Sequence, residues 1–193
     1  MYQPRIEYLI LPGWQGSPEE HWQSHWQQVL PYASRVEQAD WLAPSPEAWV
    51  RALEDKIASA NTQVILIAHS LGCITVARWA AQARQSLLNK VKGALLVAPA
   101  DVERPLCPAA IAGFAPIAQK PLPFPSLIVG SDNDSAASVS RVLAFARYWH
   151  AGVVILPKAG HINVKSGHTR WEQGFAHLYR LQQQIDHAAR LRA

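Results

Sequence analysis

Ser70 stands in the run VILIAHSLG (Val64 to Gly72), where an apolar stretch ends in Ala68-His69-Ser70-Leu71-Gly72 and a helix-like segment, CITVARWAAQ, follows at once. The pattern is a small residue, any residue, serine, any residue, glycine, with Ala68 where the motif more often has glycine. Small residues two positions either side of the serine keep side chains off the neighbouring backbone in a strained turn. Such a turn holds a serine hydroxyl clear of a sheet at a helix amino terminus, with the Leu71 amide pointing to where an oxyanion would form. Small-residue turns after strands are common, so this motif alone leaves both a structural turn and a nucleophile open.

A serine hydroxyl needs a base to take its proton, and the base should come from a loop at the carboxyl end of a later strand. Eight histidines compete. His21 and His25, spaced i, i+4 on an early helix, have no intervening glutamate and no third ligand, and read as a solvated helix face rather than a metal site. His177 and His187 fall in the last helix, and His150 precedes the last strand, at the wrong edge of a sheet. His161, in Lys158-Ala159-Gly160-His161-Ile162-Asn163, follows that strand and is the expected base. His168 in the same loop is its rival, with loop packing as the plainer role. The imidazole in turn needs a carboxylate to fix its tautomer, and Ser131-Asp132-Asn133-Asp134 offers two, with Asp101 as a third after an earlier strand. Aspartates not so used cap helices or form turns. The second oxyanion donor should come from Leu11-Pro12-Gly13-Trp14-Gln15-Gly16-Ser17, by position the amide of Trp14, with its indole as a wall of the acyl pocket. A glycine turn leading to a helix capped by Ser17 is compatible with that role.

These groups need a scaffold, and the periodicity supplies one. Five apolar, β-branched-rich runs read as buried parallel strands: Ile6 to Leu11, Val64 to Ala68, Gly93 to Val97, Ser126 to Val129 and Val153 to Leu156. Arg35 to Trp41 is a weaker sixth. Helix-like stretches lie between them, at Pro18 to Leu30, Pro46 to Ala60, Cys73 to Ser86, Ala136 to His150 and Trp171 to Arg190. Ser45 is placed to cap the second, whose Trp49, Leu53 and Ile57 share one face. Strand and helix alternate, which predicts an α/β class, three-layer sandwich: a mostly parallel sheet of about six strands with helices on both faces. The segment Pro99 to Pro125 holds seven of the 14 prolines and reads as a long surface excursion of a kind that is often functional.

Composition bounds the partners. A chain of 193 residues is expected to form a single domain over residues 1–193, and 49% hydrophobic residues exclude a disordered chain. The net charge of +4 is scattered, with a small excess at Arg180, Arg190 and Arg192, so no stripe for phosphate neutralisation appears and nucleic acid is not expected. The early apolar run Tyr8 to Leu11 is too short for a membrane span and lacks a signal-peptide layout. Two cysteines, Cys73 and Cys107, make no disulfide framework, and a cytoplasmic setting is expected.

The order Ser70, Asp134, His161 is that of the α/β hydrolases. With PGWQGSPEEHW (Pro12 to Trp22), AHSLGC (Ala68 to Cys73), LVAPAD (Leu96 to Asp101), PFPSLIVGSDND (Pro123 to Asp134) and AGHINVKSGHTRWEQG (Ala159 to Gly174), the chain resembles the small serine hydrolases grouped as the retinoblastoma-binding and YdeN-like family. The resemblance covers nearly the whole chain. It implies that Asp134, not Asp132, is the acid, although Ser135 stands where the family usually has proline. It also implies a strand order 2-1-3-4-5-6 and no large cap domain. The expected activity is hydrolysis of small carboxylic esters, with thioesters and amides as related acyl substrates, through an acyl-enzyme on Ser70 and without a cofactor or metal. The alternative is a catalytically weak or inactive protein of the same fold, binding a protein partner through its tryptophans Trp14, Trp22, Trp26 and Trp41.

Overall fold

The apolar runs become parallel strands whose carboxyl ends finish at one edge. In the computed structural model, which describes residues 5–190, these are β1 (Ile6–Leu11), β2 (Ala33–Arg35), β3 (Gln63–His69), β4 (Val91–Val97), β5 (Ser126–Ser131) and β6 (Gly152–Leu156). They form one sheet in the order β2-β1-β3-β4-β5-β6, with every neighbouring pair parallel. Leu11 pairs with Ala68, His69 with Val97, and Val97 with Val129, so the loops after β1, β3, β4 and β5 emerge side by side. Helices cover both faces, which is why β3 to β5 read as continuous Val, Ile and Leu runs instead of alternating ones.

Two apolar clusters sit on the two faces. On one, α2 (Pro46–Ser59), α3 (Leu71–Ala80) and α6 (Val139–Trp149) bury Trp49, Leu53, Ile57, Trp79, Phe145 and Trp149. On the other, α1 (Trp22–Val29) and α7 (Gly174–Arg190) bury Trp22, Trp26, Leu178, Leu181 and Ile185. Ser45 caps α2 by accepting the Ala48 N–H, and Pro46 opens it where no amide donor is needed. Two four-residue helices, α4 (Gln85–Leu88) and α5 (Ala109–Ala112), and a 3-10 turn at Val164–Ser166 complete the inventory of the described residues. No helix among them is long and apolar enough to cross a membrane. Arg192 of the basic terminal group lies outside the described residues.

The structure moves several expected boundaries. The weak strand expected at Arg35 to Trp41 is instead Ala33–Arg35, extended only by the Val36 N–H bond to Ile10 O; beyond it the chain turns so that Trp41 packs on Trp49. The helix expected from Pro18 starts at Trp22, because His21 is its cap and Pro18 to His21 form a turn. The helix expected at Cys73 to Ser86 begins at Leu71, directly after Ser70, and ends at Ala80 before α4. The last two helices begin later than expected, at Val139 behind the Ser138 cap and at Gly174. β6 is half-buried throughout instead of buried, since it is an edge strand. The proline-rich excursion is no mere surface loop: it buries Val102, Ile111, Phe114, Ile117, Leu122 and Phe124 in the core.

Candidate active site

Ser70 sits where β3 gives way to α3, with φ 54° and ψ −119°, a left-handed φ that a non-glycine residue rarely adopts. Its backbone is locked on both sides: the Ser70 N–H donates to Val97 O at 2.9 Å, and Ser70 O accepts from Cys73 N at 3.0 Å. Gly72 is required by the approach of α3 to β1, because a Cβ there would fall 2.5 Å from Leu11 O and 2.9 Å from Pro12 O. Gly13 is required likewise, since its Cβ would lie 2.7 Å from that of Ser70. The loop after β1 thus lies against the turn. The Trp14 and Leu71 amides make no hydrogen bond among the described residues, and Trp14 lines the cleft above Ser70 while donating its Nε1–H to Leu42 O at 2.9 Å.

Three expected residues come together. His161 Nε2 is 2.9 Å from Ser70 Oγ, and His161 Nδ1 is 2.8 Å from Asp134 Oδ2 and 3.0 Å from Oδ1. A carboxylate only accepts, so Nδ1 carries the proton and Nε2 is left to accept from the serine hydroxyl. The Asp134 side chain is 1% exposed and its Oδ1 also accepts the Ala136 N–H at 2.8 Å, closing the turn that contains Ser135.

The rest of the acid loop holds the base loop. Ser131 Oγ accepts from Ala159 N, Asp132 Oδ1 from Lys158 N and Asn133 Oδ1 from Gly160 N, at 2.9, 2.7 and 2.7 Å. Asp132 is therefore a backbone tether, separate from the imidazole. Asp101 is also elsewhere engaged: Arg141 Nη2 donates to its Oδ1 at 2.9 Å and to Glu103 Oε2 at 2.7 Å, which ties the proline-rich segment to α6. His168 Nδ1 lies 3.1 Å from Ser166 Oγ, in the packing role of a loop residue.

His21 is not on a solvated face, as its spacing suggested. It is buried, its Nδ1 accepts the Gln23 N–H, and its ring lies 4.9 Å from that of His69; His25 is half-buried. Burial pushes the His21 imidazole down to about 4, with the charges of Arg35, His161 and His168 adding to the effect. Among the described residues no group of histidines, cysteines and acids is arranged to hold a metal ion. His69, to which the sequence assigns no role, also lies beside His161. A histidine ending an otherwise apolar strand was its signal, and it proves buried against His161 and His21. Of the four tryptophans expected on a binding surface, Trp22 and Trp26 are fully buried, while Trp14 and Trp41 are half-buried.

Above Ser70 and His161 lies an open cleft of about 680 Å³, walled by Trp14, Ile111 and Val164 among others. A parallel sheet in this order, with a serine at the strand-to-helix turn and an aspartate and a histidine after the last two strands, defines an α/β hydrolase fold, with no cap domain among the described residues. Within that class the chain belongs to the serine hydrolase family, whose model matches residues 8–180. It is similar to a YdeN-like hydrolase from Pectobacterium atrosepticum, 30% identical, with a TM-score of 0.81 over 94% of this chain and 92% of that one. The YdeN gene product of B. subtilis is 18% identical, with a TM-score of 0.75 over 93% of this chain and 100% of that one. Est1E from Butyrivibrio proteoclasticus, solved with ferulic acid bound, shares the fold at 17% identity and a TM-score of 0.61, over 85% of this chain and 86% of that one. No curated protein matches the chain.

Proposed function

We propose that the protein is a carboxylesterase acting on small acyl esters through a Ser70, His161, Asp134 triad. The observation that carries this reading is the unbroken hydrogen-bond chain from Ser70 Oγ through both ring nitrogens of His161 to a buried Asp134. His161 Nε2 takes the hydroxyl proton as Oγ attacks the ester carbonyl, and Asp134 stabilises the imidazolium. The amides of Leu71 and Trp14 receive the oxyanion. As the intermediate collapses, His161 returns the proton to the departing alcohol, leaving an acyl group on Ser70. Water, deprotonated by the same imidazole, then attacks the acyl carbon; the carboxylic acid leaves and Ser70 regains its proton. Every proton is handled by these residues, so the scheme invokes no cofactor. In this reading the open cleft takes acyl chains of roughly two to six carbons.

A serine-directed fluorophosphonate probe tests the nucleophile. It should label wild type and fail on Ser70→Ala, and wild type should hydrolyse p-nitrophenyl acetate or butyrate. Equal labelling of the Ser70→Ala variant, or none of folded wild type, would overturn the assignment. A preference for chains of about sixteen carbons would sink the pocket argument and leave the triad standing.

A further inference from the structure

Two buried rings hold the loop that carries His161, and neither belongs to it. His69, which ends β3, is 5% exposed, and its Nε2 lies 2.9 Å from the carbonyl oxygen of His161. A carbonyl only accepts, so Nε2 carries the proton. Trp22, the first residue of α1, is 0% exposed and donates its Nε1–H to the carbonyl of Ile162 at 2.9 Å. Two consecutive carbonyls of one loop are thus fixed by two N–H donors from the core. The donors support each other: the Trp22 ring meets His69 edge-on with centroids 6.0 Å apart, and His21 packs against His69 at 4.9 Å.

The loop needs such restraint. Gly160 and Ile162, on either side of His161, have φ of 57° and 46°. A β-branched residue in the left-handed region relaxes to another backbone conformation unless its surroundings fix it. The Ser131, Asp132 and Asn133 side chains hold the loop only as far as Gly160. The Ile162 N–H turns back to Ala159 O and Asn163 is held by Ser166 and His168, so the carbonyls left to outside donors are those of His161 and Ile162, and His69 and Trp22 supply those donors.

We propose that His69 and Trp22 are positioning residues, a clasp that sets the His161 imidazole at its working distance from Ser70 by fixing the peptide planes at His161 and Ile162. The proposal rests on the reading of His161 as the base. Neither clasp residue exchanges a proton with substrate. Burial, reinforced by His161 and His21, pushes the His69 imidazole well below the usual histidine range, and its bond to the His161 carbonyl only partly opposes this. His69 therefore stays neutral, with its one proton on the nitrogen that faces the carbonyl. The clasp also gives the HW pair of PGWQGSPEEHW a purpose beyond packing: Trp22 supplies a donor and His21 backs the other.

The test uses three variants of the full chain. Trp22→Phe keeps an aromatic ring and removes one donor, His69→Leu removes the other, and His69→Gln keeps a side-chain N–H of similar reach. Each is measured for kcat and KM on p-nitrophenyl acetate, for melting temperature, and for amide hydrogen exchange at His161, Ile162 and Asn163. The donor-deleting variants should lose about tenfold to a hundredfold in kcat, the scale set by a 1 Å misplacement, with KM within about twofold. Their loop amides should exchange faster, and His69→Gln should recover most of the kcat. The clasp is overturned if folded Trp22→Phe and His69→Leu keep wild-type kcat and exchange, or if kcat merely tracks melting temperature and Gln does not rescue it. If one of the two fails to fold, the other decides. Should wild type turn over no ester, the esterase reading fails, while exchange at the three amides still decides whether the rings hold the loop.

Discussion

At the scale of the residue, Asp132 and Asp134 differ by what each carboxylate faces. Asp134 receives the imidazole N–H and is sealed from water, whereas Asp132 receives the Lys158 amide at an exposed position. Asp134→Asn puts an amide where the carboxylate must accept and stabilise charge, and should lower kcat by about 10⁴-fold. Asp132→Asn keeps a side-chain oxygen for the Lys158 amide and should hold kcat within about tenfold of wild type. Steady-state kinetics on one activated ester checks both. That Ser70 and His161 reach one edge of the sheet was legible in the sequence, because each follows a strand by a short interval. Which carboxylate meets the imidazole was not, because three aspartates share the correct edge, and what separates them is tertiary: Arg141 reaches Asp101 from α6, forty residues along the chain. Family resemblance, not spacing, pointed to Asp134. The surroundings of His69, a backbone carbonyl and the rings of His21, Trp22 and His161, are brought together only by tertiary structure and leave no trace in a residue pattern.

At the scale of the element, the turn between β3 and α3 is held open by glycines whose missing side chains are as specific as any contact. Gly72→Ala drives a methyl group into the Leu11 and Pro12 carbonyls, which are backbone atoms and cannot rotate away. Stability should fall by about 1–3 kcal/mol, the usual cost of overpacking, and fluorophosphonate labelling of Ser70 should slow as α3 shifts. A denaturant midpoint and a labelling time course measure the two effects. The interior strands were readable because burial on both faces demands uninterrupted aliphatic runs. β2 was misplaced because three half-buried residues at an edge, Ala33, Ser34 and Arg35, carry too little apolar signal to register. Helix starts slipped where the cap is a histidine, as at His21, or where a buried apolar residue stands just before the cap, as Ala137 does before Ser138.

For the whole molecule, the buried histidines make acid a denaturant. His21 protonates near 4 when folded, against about 6.5 in an unfolded chain. Between those values the unfolded chain binds more protons, so stability is full above about 6.5 and declines as pH falls toward about 4. His69 acts in the same direction. The cations and imidazoles around His21, namely Arg35, His69, His161 and His168, give a new proton no compensating carboxylate. The melting temperature should drop steeply across this window, and His21→Asn, which can still cap α1, should flatten the slope. The parallel sheet followed from the alternation of strand and helix, and its order β2-β1-β3-β4-β5-β6 from the family resemblance alone. The inward turn of the proline-rich segment did not, since its six core residues are spread through a stretch without period. β6 carries a further consequence. Its five residues, Gly152-Val153-Val154-Ile155-Leu156, contain no charge, and its outer rim has no strand beside it in the sheet. Once heat loosens the helices around it, that rim is a template on which another chain can add by main-chain pairing. Recovery of native protein after a heating and cooling cycle should therefore decline as its concentration rises, with light scattering growing in step.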